Sequence, residues 1–204
     1  MRNFSNKLSS HKSNICSALL LSCASILSAG SAHADNINIE VITGVAVESG
    51  VISGATSITK TGAGELELTA TNTYTGSTIV TTGTLTLGVA ATLPATAITL
   101  AASTTLKANY ASAALITGNT VAVTGAVTID TEANTFTIPT VISGTGSITK
   151  TDSGTLILSA ANIYTGTTTV ADGTLQIAGT ASLPASQAIT LQGDSIRVPG
   201  MVQF

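Results

Sequence analysis

Aromatic residues make up only 3% of this 204-residue chain, tryptophan is absent, and charged residues reach 8%. So little lysine, arginine, glutamate and glutamine excludes a helical protein, because those residues clothe the wet face of amphipathic helices. Disorder is excluded as well: it goes with low hydrophobicity, and here 44% of residues are hydrophobic. Both cysteines (Cys16, Cys23) and both histidines (His11, His33) precede Asp35. The remainder therefore lacks the parts for thiolate chemistry, a zinc site or a histidine-based triad. Its stability must come from packing and backbone pairing rather than disulfides. Four dispersed basic residues (Lys60, Lys107, Lys150, Arg197) against ten acids give it a net charge of −6. That offers no phosphate-tracking stripe, which excludes nucleic acid as a partner.

What the chain does have is threonine, 37 residues of it, and threonine is a strand former. The stretch 1–34 reads as an export signal. Arg2, Lys7 and Lys12 start it without an acid, an apolar run follows from Ile15 to Leu27, and Ala32-His33-Ala34 forms an A-x-A site before Asp35. A membrane anchor fits less well, because Ser17, Ser22, Ser25, Ser28 and Ser31 interrupt the apolar stretch that reaches Ala34, and a spanning helix needs about 20 mostly apolar residues. Leu20-Leu21-Ser22-Cys23 offers a rival lipoprotein-type cleavage that tethers the chain through Cys23. The mature N-terminus is thus Asp35 or a lipidated Cys23.

Residues 51–94 align without gaps on residues 141–184, at an offset of 90 and with more than half of the positions identical. Such self-similarity means one structural unit occurs twice. The organisation expected is a signal peptide (1–34), a lead-in (35–50), repeat copy 1 (51–104), divergent connecting rungs (105–140), repeat copy 2 (141–195) and a short tail (196–204). Within each copy apolar residues alternate: Leu66 and Leu68, Thr78 and Val80, Leu85 and Leu87, matched by Leu156 and Leu158, Thr168 and Val170, Leu175 and Ile177. Period two over four to six residues reads as half-buried strands. Gly54, Gly62, Gly64, Gly76 and Gly83 bracket the first set, and Gly144, Gly146, Gly154, Gly166 and Gly173 the second. Glycine takes positive φ freely, so corners are expected there. Asn72 and Asn162 suit the same left-handed geometry.

Short strands with tight corners make a sandwich, a barrel or a solenoid. Near-identical units suit stacking, in which each rung touches only its neighbours. Scarce aromatics suit a narrow interior of aliphatic columns, whereas sandwiches use large rings to fill a wider core. Rows of threonine and serine then form hydroxyl ladders between rungs. Rungs of about 20–25 residues spaced about 4.8 Å apart predict about seven rungs. The all-β solenoid is the preferred reading and the sandwich its rival.

The second copy reads Gly144, Gly146, Ile148, Lys150, Gly154, Leu156, Leu158, then Asn162, Tyr164, Gly166, Thr168, Val170, Gly173, Leu175, with Asp152 in place of one glycine. The first copy has Gly54, Lys60, Gly64, Leu66, Leu68, Asn72, Tyr74, Gly76 and Gly83 in the same places, and Thr56 for Gly146. This resembles the autotransporter-associated β-strand repeat of Gram-negative secreted passengers, whose pattern is G-x-G-x-L-x-K-x-G-x-G-x-L-x-L followed by N-x-Y-x-G-x-T-x-V-x-x-G-x-L. The resemblance implies a right-handed parallel β-helix at the cell surface or outside the cell, with repeats that assist passage across the outer membrane. It also implies inner-membrane secretion machinery and an outer-membrane barrel as partners. The chain itself shows no such barrel, which needs at least eight strands of about ten residues.

A surface adhesin for host glycans or proteins is the second reading, and a β-helix carbohydrate-active enzyme the third. Glycoside hydrolysis needs two carboxylates flanking one bond. Only Glu65/Glu67 and Asp130/Glu132 pair at i, i+2, the spacing that shares a strand face, and Thr155 and Ile157 replace the first pair in the other copy. No catalytic, metal or cofactor residue is therefore assigned. Lys60 and Lys150 are expected to snorkel at strand ends, and Tyr74 and Tyr164 to cover the next rung.

Overall fold

Alternating side chains part to opposite sides of a strand, and here one side consistently finds an interior. In a computed structural model, which describes residues 15–17, 36–110, 113–114, 119–178, 183–184 and 188–192, every regular element is a strand. The strands form sheets of seven, eight, four and two members. Neighbours within a sheet run parallel and belong to successive passes of the chain: Ile58 lies beside Thr78, Thr78 beside Ile98, and Ile98 beside Val121. This is a three-sided β-solenoid of about seven turns, and the parallel ladders overturn the sandwich alternative, which needs antiparallel layers.

The first face stacks Ile37–Glu40, Ile58–Thr61, Thr78–Val80, Ala97–Leu100, Thr120–Val123 and Ile142–Ser143. The second runs from Val45–Glu48 through Glu65–Leu68, Gly83–Leu87, Thr104–Ala108, Val127–Asp130, Ile148–Thr151 and Thr168–Val170 to Ile189–Leu191. The third side holds the pair Ser53–Gly54 and Thr73–Tyr74, then Ala113–Ala114, Thr135–Ile138, Thr155–Leu158 and Thr174–Ile177. The divergent stretch thus supplies ordinary rungs. A short strand, Ile15–Ser17, pairs with Ile37–Glu40 from within the expected signal peptide. Ala34, Asp35, Cys23 and the tail 196–204 lie outside the described residues.

Inward positions stack into aliphatic columns. Leu66, Leu85, Leu106 and Ile129 form one along the second face, all within 1% of complete burial. Phe136, Leu156 and Leu175 form another on the third. Each such side chain contributes about 1.5–3 kcal/mol on leaving water, so every rung is held by the rungs beside it. On the wet side of the second face, Thr84, Thr105, Thr128, Thr149, Thr169 and Thr190 occupy one continuous column. The threonine row that the composition implies is there as a register column.

The two repeat copies do not sit on the same faces. Ile58–Thr61 lies on the first face, but its equivalent Ile148–Thr151 lies on the second; Glu65–Leu68 lies on the second, and Thr155–Leu158 on the third. Four turns carry the first face from Ile58 through Thr78, Ile98 and Val121 to Ile142. The counterpart of Ile58 comes only at Ile148, by which point the chain has advanced one further side. A unit able to occupy different faces carries its corner chemistry with it.

Candidate functional site

The features common to both copies converge at their corners. Lys60 shares the parity of Ile58, so its side chain points inward, in register with Ile39 and Val80. A charge placed there must find partners. Its ammonium donates to the carbonyls of Thr61 at 2.9 Å, Gly62 at 2.7 Å and Thr82 at 3.1 Å. Lys150 repeats the arrangement with Thr151 at 2.7 Å, Asp152 at 2.5 Å and Asp172 at 3.1 Å. Both lysines have 0% exposure, which overturns the snorkelling expected of them. Three N–H groups meet three main-chain oxygens, two from the lysine's own corner and one from the next rung. The third acceptor, the carbonyl of Thr82 or Asp172, had no signal in the sequence, because a carbonyl carries no side-chain identity.

Glycine closes each cage. Gly83 has φ +74, and a Cβ there meets the carbonyl of Gly64, that of Gly62 at 2.5 Å and the Lys60 Nζ at 2.8 Å. Gly173, at φ +72, faces the carbonyls of Asp152 and Gly154. Gly54 and Gly144 also have positive φ, whereas Gly64, Gly76, Gly154 and Gly166 lie where a Cβ strikes the backbone of the preceding rung. Leu66, Leu68, Leu156 and Leu158 are buried in the core.

Asn72 and Asn162 are not left-handed, contrary to expectation: neither is among the residues with positive φ, which include Ala90, Ser103, Glu132 and Asp152. Their side chains work instead. The Asn72 Oδ1 accepts from the Ile52 N–H at 2.9 Å, and its Nδ2 donates to the carbonyls of Ala70 at 2.9 Å and Thr92 at 3.2 Å, so one amide ties three rungs. Asn162 accepts from the Ile142 N–H and donates to the Ala160 carbonyl, both at 2.9 Å. The rings of Tyr74 and Tyr164 are fully buried, and their hydroxyls pair with Thr78 and, at 2.5 Å, with Thr168. The tyrosines therefore fill the core and bond into it rather than merely cover a rung.

The paired acids behave differently from one another. Glu65 and Glu67 do share an outward face, where Thr86 donates to Glu65 at 2.6 Å. Asp130 and Glu132 do not: the strand ends at Asp130, and Glu132 lies in the following turn with φ 47, paired with Lys107 at 2.6 Å.

Burial pulls the Lys60 ammonium down to about 8, and does the same to Lys150, where Asp172, Asp152 and Asp130 oppose it. Burial pushes the Tyr74 phenol up to about 12, against its bond to Thr78, and raises Tyr164 likewise. Between about 8 and 10.5 the unfolded chain binds lysine protons better than the folded one, so stability rises with pH there. Between about 10 and 12 the folded chain keeps tyrosine protons that the unfolded chain has lost, so stability falls. Melting temperature is expected to climb above pH 8, peak at about pH 10 and then decline. Circular-dichroism melts across this range check it, and Lys60→Met is expected to shrink the climb while leaving the decline.

One comparison with known proteins meets at these corners. The family model described as Passenger-associated-transport-repeat matches residues 58–87 and 148–177, the segments that hold the two cages. The chain is 37% identical over 129 residues to the Adhesin BmaC autotransporter of Brucella suis biovar 1 (strain 1330). That match covers 63% of this chain but only 4% of the adhesin. No solved structure matches.

Proposed function

We propose that this chain, a β-solenoid carrying two passenger-associated transport repeats, serves as a non-catalytic surface segment whose repeats assist export and folding across the outer membrane. One observation carries this reading: the segments matched by the transport repeat hold the side chains that tie adjacent rungs, Lys60 and Asn72 in the first copy and Lys150 and Asn162 in the second. A chain that crosses a membrane unfolded moves outward if each emerging rung locks onto a folded neighbour, and in a solenoid folding propagates rung by rung. The partners are inner-membrane secretion machinery and an outer-membrane barrel, and the place of work is the cell surface or beyond it. Placing the chain ahead of a translocator barrel and deleting residues 141–184 is expected to cut surface display severalfold, measured by protease accessibility on intact cells. Undiminished display rejects the reading.

A second reading, adhesion, is favoured by the likeness to an autotransporter adhesin. The outward threonine column of the second face offers one continuous row of hydroxyls to a glycan or protein. Saturable binding of the chain to host cells, weakened by Thr128→Lys and Thr149→Lys, supports this reading; binding unchanged by both rejects that face.

A further inference from the structure

We propose that the two lysine cages are kinetic locks, which hold a folded repeat against being drawn apart rung by rung more than they help it to form. The proposal rests on the export reading above. Each ammonium has three N–H donors and is surrounded by three main-chain carbonyls, and the third of these belongs to the following rung. With 0% exposure at both lysines, water has no access to the ammonium while the rungs are stacked. Separating the rungs therefore breaks charge-assisted bonds before solvent arrives to replace them, which raises the barrier to opening. Once the rungs are apart, the ammonium is well hydrated and the carbonyls are wet, so much of that loss is recovered in the open state. An interaction strong in the closed state, lost in the transition state and replaced afterwards by water slows unfolding with little effect on folding.

The glycine geometry supports the same view. Gly83 and Gly173 let the next rung lie directly on the cage, with no side chain between it and the carbonyls beneath. Because the second copy sits one face further round the coil, the two locks occupy different corners of the rod. A pull that peels one corner still meets the other.

The test is stopped-flow unfolding and refolding of the full chain with Lys60→Met and Lys150→Met, made singly. Unfolding is expected to quicken by about tenfold in each variant, with refolding changed by less than about twofold. Hydrogen exchange is expected to place the loss of protection around residues 58–82 in the first and 148–172 in the second. Equal slowing of refolding, an unchanged unfolding rate, or failure of both variants to fold overturns the proposal, since each makes the cage something other than a lock. The same variants ahead of a translocator barrel separate the two ideas. Faster unfolding with undiminished display keeps the lock and removes its role in export; unaltered kinetics remove the lock whatever display shows.

Discussion

Gly83→Ala is expected to destabilise the chain by about 4 kcal/mol or more, enough to unfold the rungs around the first cage under ordinary conditions. The φ of +74 alone disfavours a residue with a Cβ by about 1–2 kcal/mol. The new methyl also meets the Gly64 carbonyl, the Gly62 carbonyl and the Lys60 ammonium together. Two of these contacts are to backbone that is already fixed by the ladder, so neither yields without disturbing the pairing of Glu65–Leu68 with Gly83–Leu87. If the lysine gives way instead, its three carbonyls lose their donor, at about 1–3 kcal/mol for each buried group left unpaired. Asp152→Gly is the contrasting change. Asp152 already has φ 63 at the place where the first copy has Gly62, so glycine relieves backbone strain at an exposed corner, and its effect is expected to stay within about 1 kcal/mol. Urea unfolding followed by far-ultraviolet circular dichroism measures both. A Gly83→Ala chain within about 1 kcal/mol of the parent contradicts the packing described at the cage.

Strands, repeat and solenoid were legible because each rests on a short-range rule. Period-two alternation decides the strands without regard to neighbours, and two copies of one unit decide that units stack. The face on which a copy lands was not legible. It depends on the summed lengths of all the intervening rungs, and the step from Ile98 to Val121 is longer than the step from Thr78 to Ile98. Such differences arise in corners, where sequence tolerates insertion. The lysines are a different kind of miss. Lys60 shares the parity of Ile58 and Lys150 that of Ile148, so the alternation itself pointed both inward. The general preference of lysine for the surface overrode that signal. In this fold a tight corner turns several carbonyls inward, and a buried ammonium is a donor with enough N–H groups to satisfy them. The asparagines differ from expectation for a similar reason: tolerance of the left-handed region points to a backbone role, whereas the amide of Asn72 has rungs above and below to bridge. The pairing of Asp130 with Glu132 failed because the strand stops between them.

Tyr74→Ala is expected to cost about 4–6 kcal/mol, the loss of a fully buried ring together with its hydroxyl bond. The interior is narrow and holds few rings: Tyr74, Phe136 and Tyr164 are the buried aromatics of the described core. Aliphatic neighbours fixed in stacked columns have little freedom to collapse into the space a ring leaves, and a cavity that does not relax is the costly kind. Tyr74→Phe separates the two contributions. It keeps the ring and leaves the Thr78 hydroxyl, also at 0% exposure, without its partner, for an expected loss of about 1–3 kcal/mol. Thr78→Val on that background removes the stranded hydroxyl while nearly conserving its volume. The double variant is therefore expected to recover most of what Tyr74→Phe loses, because replacing both partners of a buried hydrogen bond by apolar groups is close to neutral. A double-mutant cycle on denaturant midpoints reads this coupling directly. Strictly additive losses at Tyr74 and Thr78 contradict a bond between the two hydroxyls. The same cycle at Tyr164 and Thr168 is expected to give a coupling of the same sign, although that pair lies one face further round the rod. If it does, the polar core travels with the repeat and is set by the unit rather than by the side of the solenoid that receives it.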